Sequence, residues 1–122
     1  MMAHAGLNSS APHLAPATTV GDLADWGDQP DMLAGQSHSS GVLLWASADK
    51  KSESGLWVCT PGTWRLSLPG DELCHFIAGR ATYTSDEGEV IEVTPGTVVH
   101  FLEGWSGQCV VHETIRNVYM LR

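Results

Sequence analysis

The sequence predicts an all-β fold, an antiparallel sandwich, barrel or jelly roll, and three observations carry that prediction. From Gly41 onward, short runs rich in β-branched and aromatic residues recur, such as Val42-Leu43-Leu44-Trp45-Ala46 and Cys109-Val110-Val111-His112. Most of them are bounded by turn chemistry, as at Thr60-Pro61-Gly62, Ser85-Asp86-Glu87-Gly88 and Thr94-Pro95-Gly96. No stretch carries the apolar period of a long helix.

The elements follow in order. Residues 1–19 are rich in Ala, Ser, Pro and His without an apolar period, and read as a flexible arm in which His4 and His13 stand isolated. The run Thr19 to Trp26 begins with a capping residue and reads as one helical turn. Trp26 and Met32 must then bury, and the outside of the main sheet is the expected place. Residues 35–40 are small and polar, a loop, so the division expected is an arm over 1–40 and a barrel over 41–122. Candidate strands are Val42–Ala46, Gly55–Thr60, Thr63–Leu68, Glu72–Ile77, Arg80–Thr84, Glu89–Val93, Thr97–Leu102, Gln108–Glu113 and Asn117–Leu121. Lys50 to Gly55 reads as a surface hairpin loop.

At 122 residues the chain suits one domain with one modest core. Its formal charge is -8, with 6 Lys and Arg against 14 Asp and Glu, which argues against nucleic acid and anionic membranes as partners. The 3 cysteines, Cys59, Cys74 and Cys109, are widely spaced inside strand-like runs, and read as buried free thiols. No charged leader with an apolar core opens the sequence, and no apolar run approaches ~20 residues, so a cytoplasmic protein is expected. Searches for a phosphate loop, an HExxH helix and a G-x-S-x-G elbow find nothing.

The piece from Pro69 to Gly96 resembles the cupin family. The first cupin motif is G-x5-H-x-H-x(3,4)-E-x6-G and the second is G-x5-P-x-G-x2-H-x3-N. Glu72, six residues and Gly79 match the end of the first; Pro95-Gly96 and Gly104 match the skeleton of the second. The phrases GLWVCTPGTWRLSLPGDELCHFIAG and GWSGQCVVHETIRNVYM look more narrowly like the subgroup related to ureidoglycine aminohydrolase, over Leu56 to Arg122. The resemblance implies an antiparallel jelly-roll barrel, a homodimer, and in many relatives an Fe, Mn, Zn or Ni ion on three His and one Glu. Here the imidazole positions hold Arg65 and Ser67, or Leu66 and Leu68 with the shorter spacer, and the third falls on Gly107. Only the carboxylate of Glu72 remains, which disfavours a metal at the family's site.

The candidate site follows from these departures. Arg65 is expected to pair with Glu72 across adjacent strands inside the barrel, taking the place of the metal, with Ser67 on the same face. The pair either satisfies itself or serves chemistry, with Glu72 as general acid or base and Arg65 holding a substrate oxygen. His100 sits in an apolar run and reads as partly buried, either a hydrogen-bonded core residue or, facing inward, a second acid–base group. His75 and His112 fall on outward positions, although a bulge would bring His75 toward a ligand. Tyr83 and Trp105 are candidate pocket walls, with plain packing as the alternative. Glu113 is expected to face inward, with Arg116 near enough to pair with it. A divalent metal on Glu72 with His75, His100 or His112 is the atypical alternative to a metal-free site.

Two functional classes remain open at this point. One is an enzyme acting on a small polar metabolite by acid–base chemistry, as a lyase, isomerase, cyclase or C–N hydrolase. The other is a non-catalytic, metal-free module that binds a small molecule or another protein.

Overall fold

A computed structural model describes residues 11–122 of the chain, so His4 lies outside the described residues. Among these residues all regular structure is β. The strands are β1 (Ala24–Asp28), β2 (Met32–Gly35), β3 (His38–Ala46), β4 (Glu53–Cys59), β5 (Gly62–Ser67), β6 (Glu72–Ser85), β7 (Val90–Val93), β8 (Val98–Phe101) and β9 (Ser106–Leu121). Every pairing is antiparallel, and the sheet curls into a jelly-roll barrel, one of the forms the strand pattern allows and the one the cupin resemblance implies. No helix among the described residues is long and apolar enough to cross a membrane.

Two long strands form the spine. Four of the expected strands merge into them: Glu72–Ile77 and Arg80–Thr84 into β6, and Gln108–Glu113 and Asn117–Leu121 into β9. β6 and β9 pair along nearly their whole lengths, from Glu72↔Leu121 to Ser85↔Gly107. On its other edge, β9 pairs with β5 through Ser106–Val111 and with β4 through Ile115–Leu121. On its own far edge, β6 pairs with β8 through Glu72–His75 and with β7 through Ala81–Thr84. The spine bends where the β6–β9 register shifts, between Phe76 and Ala81. Such bulges let one strand turn a corner between two faces.

Gly79 is what that bend requires. Its φ is +82°, and a side chain there would collide with the carbonyl of Thr114 across the ladder. Only glycine occupies such a position without strain. The glycine that ends the first cupin motif is therefore a corner of the barrel.

The helical turn expected between Thr19 and Trp26 does not form. Ala24–Asp28 instead pairs with β3, and Met32–Gly35 with β5, so the sheet begins ahead of residue 41. Open ladder edges on β3 and β5 outweigh the weak local capping signal. Arg116 fixes the chain before β1, donating to the carbonyls of Ala17 and Val20 at 3.0 and 2.8 Å. Trp26 is not outside the main sheet as expected: its ring lies against Gly41 and lines the barrel cavity.

The core gathers Cys59, Trp64, Cys74, Phe76, Tyr83, Val93, Phe101, Cys109, Val111 and Ile115. Each large apolar member contributes roughly 1.5–3 kcal/mol on burial. The three cysteines are buried and unpaired, as their surroundings in the sequence predict. Burial pushes the thiols up, to about 11 at Cys59 and about 12 at Cys109, so they act as packing groups.

Gly79→Ala should lower stability by about 1–3 kcal/mol, because the bulge must either hold alanine at positive φ or give up its pairing. Urea unfolding followed by tryptophan fluorescence reads this directly; an unchanged midpoint would mean that the corner is not fixed by Gly79.

Candidate functional site

The alternation of β5 decides where its charged residue goes. Trp64 is buried at 3% exposure and faces inward, so Arg65 faces out. The guanidinium of Arg65 holds the carboxylate of Asp86 through two bonds of 2.7 and 3.0 Å. The expected Arg65–Glu72 pair is absent because β9 lies between β5 and β6, so the two strands are not neighbours. Ser67 shares the outward parity of Arg65 and is exposed at the cavity rim. The inward positions of this segment are Leu66 and Leu68, both packed against the core.

The barrel encloses a cavity of about 390 Å³, open at one end. Its aromatic walls are Trp26, Trp57, Trp64, Tyr83, Phe101 and Tyr119. Trp57 and Trp64 meet edge to face at 6.0 Å, and Trp64 meets Tyr83 in the same way at 6.4 Å. Tyr83 thus takes its expected place as a wall. Trp105 stands behind that wall, 5.0 Å from Phe101 and 6.3 Å from Tyr83, and faces a separate surface recess beside Asp86 and Ser106.

The polar groups of the cavity lie in three successive rows across β4, β9 and β6. The deepest row is Trp57–Asn117–Phe76, the next is Gly55–Tyr119–Cys74, and the third, toward the mouth, is Glu53–Leu121–Glu72. Glu53 and Glu72 thus flank β9 from its two sides, with Cα atoms about 10 Å apart from the spacing of strands. Gly55 makes room for the Tyr119 ring, since a side chain there would press within 3.0 Å of the phenol oxygen. The Tyr119 hydroxyl donates to Glu53 Oε2 at 2.7 Å.

A second chain of bonds orients Glu72. Asn117 Nδ2 donates to Cys74 Sγ at 3.4 Å, and the Cys74 thiol donates to Glu72 Oε2 at 3.3 Å. The thiol has one proton and spends it on Glu72, so its sulfur can only accept from the amide. That fixes the Asn117 amide with Oδ1 free. Asn117 is 1% exposed and lines the cavity, yet Oδ1 has no partner; nor does the indole N–H of Trp64. Buried polar atoms in native proteins are rarely left so. Desolvation pushes the Glu72 carboxyl above its ordinary value; the Cys74 bond opposes this and the charge of Glu53 adds to it.

The three C-terminal histidine candidates point elsewhere. His75 lies between core residues Cys74 and Phe76 and so faces out, exposed. His100 is not buried as expected: Val99 and Phe101 face the core, leaving Val98, His100 and Leu102 on the exposed side. His112 is exposed and bonded to the Thr82 hydroxyl at 2.9 Å. Glu113, expected inward, is exposed and pairs with Arg80 rather than Arg116, because the spine bends at that point. Outside the barrel, His38 sits between Asp25 and Asp28 at 2.6 and 2.9 Å, and these carboxylates raise its affinity for a proton.

The residues present do not fit the three-His, one-Glu metal centre of cupin enzymes. The aligned inward positions are two leucines and a glycine, and the imidazoles lie on the opposite face from Glu72. Among the described residues, no three His, Cys, Asp or Glu side chains gather as metal ligands. The cavity offers carboxylates, an amide oxygen and an indole N–H within aromatic walls. That set can bind a small polar molecule and move a proton through Glu72.

Sequence reasoning missed Glu53, Asn117 and Tyr119. Glu53 was expected in a surface loop, but it shares the parity of Trp57 and Cys59 at the start of β4. Asn117 had a readable signal: a polar residue in phase with Ile115, Tyr119 and Leu121, the apolar inward positions at the end of β9.

Comparison with known proteins agrees with this architecture. No curated protein sequence matches the chain. Among solved structures, EutQ from Clostridium difficile superposes with a TM-score of 0.60 at 18% identity, covering 70% of this chain and 68% of that one. Ectoine synthase from P. lautus gives 0.61 at 17% identity, covering 69% and 63%. A protein of unknown function from Pseudomonas syringae pv. tomato gives 0.76 at 18% identity; it covers 84% of this chain, which spans only 45% of its length. At these identities the likeness is one of fold. The family model for the EutQ-like cupin domain matches residues 46–119, more than half of the sequence. The chain belongs to the EutQ-like cupin domain family.

Proposed function

We propose that this cupin is an enzyme acting on a small polar metabolite by acid–base chemistry, with Glu72 as the proton-transferring group. The observation that carries the reading is a half-buried carboxyl bonded by the Cys74 thiol, itself bonded by Asn117, at the mouth of an aromatic-walled cavity that also contains unpartnered polar atoms. Burial that raises the Glu72 pKa brings it toward the range where a carboxyl can both accept and release a proton. The reaction classes that need only this are lyase, isomerase or cyclase chemistry and C–N hydrolysis; the last is the type suggested by the finer resemblance to ureidoglycine aminohydrolase-related cupins. Arg65 stands at the cavity rim with its guanidinium engaged by Asp86, and takes no part in the proton transfer of this reading.

The predominance of rings in the lining favours a second reading, a non-catalytic binding module, because aromatic walls supply affinity without proton transfer. A single substitution separates the two. Glu72→Gln keeps the shape of the side chain and should cost about 10²–10⁴-fold in turnover, with ligand binding weakened by no more than about tenfold. A panel of small amines, amino acids and ureido compounds, followed by NMR for conversion and by thermal shift for binding, reads both. Conversion by the Gln variant at the wild-type rate would remove Glu72 from the chemistry.

The same carboxyl makes stability depend on pH with a definite sign. A pKa raised by folding means that the native state favours the protonated form, so the contribution of Glu72 to stability is fully present below about 4.5 and is lost as pH rises through the folded value. Glu72→Gln should therefore raise the melting temperature at pH 7–8 and lose that advantage as the pH falls toward 4. A variant less stable than wild type at pH 8 would contradict a desolvated carboxyl.

We also propose that the homodimer implied by the sequence forms through the outer face of β3, β4, β9 and β6. Trp45, Ser54, Met120 and Leu73 lie in one row there, and Trp45, Met120 and Leu73 are 44%, 50% and 45% exposed. The row itself carries no carboxylate, so two copies of an acidic chain can meet on it without repulsion. Leu73→Arg should convert the protein to a monomer in sedimentation equilibrium; a wild-type monomer, or a dimeric variant, would exclude this face.

A further inference from the structure

We infer that the ligand of the barrel cavity is a small organic cation, a primary amine or similar nitrogen base, whose charged end sits between Glu53 and Glu72. This deepens the reading above, since it rests on the same cavity, but it concerns binding and not turnover.

Charge is the first argument. The carboxylates of Glu53 and Glu72 flank one strand, β9, in a single row at the mouth of the cavity. Each has one oxygen engaged inside the protein, with Tyr119 or Cys74, which leaves the other oxygen able to accept from a ligand. The one Arg of the cavity lining, Arg65, has its guanidinium committed to Asp86. An anionic ligand would meet two like charges there with no cation free to answer them.

The orphaned amide is the second argument. Asn117 Oδ1 is an acceptor deep in the cavity, and its orientation is fixed because Nδ2 is spent on Cys74. An acceptor this deep calls for a donor at the far end of a ligand whose charged end stays at the mouth, and a hydroxyl supplies one. Trp57 and Tyr119 line the cavity beside Asn117 and Glu53, and aromatic rings attract cations. The Trp64 indole N–H is the other unpartnered polar group of the cavity lining, with the Cys59 thiol beside it. An amine with a hydroxyl at its other end would answer both the carboxylates and the orphaned amide.

The test uses three probes of matched length: 4-aminobutanol, 1,4-butanediol and 4-hydroxybutyrate. They are titrated into the ¹⁵N-labelled full chain while the tryptophan indole N–H signals are followed. The amine should shift the Trp64 signal and bind at least about tenfold more tightly than the diol or the acid, since a charge-assisted bond outweighs a neutral one. Glu53→Gln and Glu72→Gln should each reduce that preference by about tenfold, with the fold intact by circular dichroism. Equal or tighter binding of the diol or the acid, no binding of the amine, or an amine preference that survives both substitutions would overturn the inference. The two readings fail separately. Amine binding without conversion of any compound leaves the cation site and removes the enzyme; Glu72-dependent conversion of a neutral or anionic compound does the reverse.

Discussion

The β6–β9 ladder is the constraint on which the rest of this molecule depends. Two strands of 14 and 16 residues run antiparallel through the barrel and bend together where the register shifts around Gly79. All the remaining strands except β1, β2 and β3 attach directly to one or the other. Because the ladder bends, its two halves face each other across the core and enclose space between them. A flat pairing of the same residues would leave Cys74, Tyr83, Cys109 and Tyr119 on an open surface.

The site's electrostatics follow from that geometry. Side chains alternate along each strand, so one choice of register sends Glu72, Cys74 and Phe76 inward and Leu73 and His75 outward. The same rule on β5 admits Trp64 and excludes Arg65. The outcome is a cavity with carboxyl groups, an amide oxygen and rings, while the imidazoles of His75, His100 and His112 stand on the outer surface and the Arg65 guanidinium at the rim is held by Asp86. A carboxyl in such surroundings is desolvated without a nearby cation to answer it, and its affinity for a proton rises. The barrel frame thus encloses an acidic pocket with aromatic walls.

The strand positions were largely legible, because strands and turns are written in local chemistry. Pro95-Gly96, Ser85 to Gly88 and Thr60 to Gly62 punctuate the chain where the structure turns. The merging of four expected strands into two was not, since Gly79 reads as a stop when its neighbours are local but serves as a corner when a partner strand continues past it. Glu72 was found through its motif spacing. Arg65 was misplaced because that spacing allowed two parities, and nothing local distinguishes which residue of Arg65 and Leu66 faces in. His100 was misplaced for a related reason: Val98 and Leu102 look like core residues, but they are exposed in this chain.

By itself the sequence determined the β architecture, the family frame, the loss of the imidazole ligands and the retention of one acid. These depend on residue type and short-range spacing, which a linear chain displays in full. Only the tertiary structure decided which face each residue takes and which distant residues meet: Asp86 rather than Glu72 for Arg65, and Glu53, Tyr119, Asn117 and Cys74 as the company of Glu72. The physical reason is that side-chain direction in a strand has a period of two. A shift of one residue in register reverses every inward and outward assignment, and the register is set by partners far away in the chain.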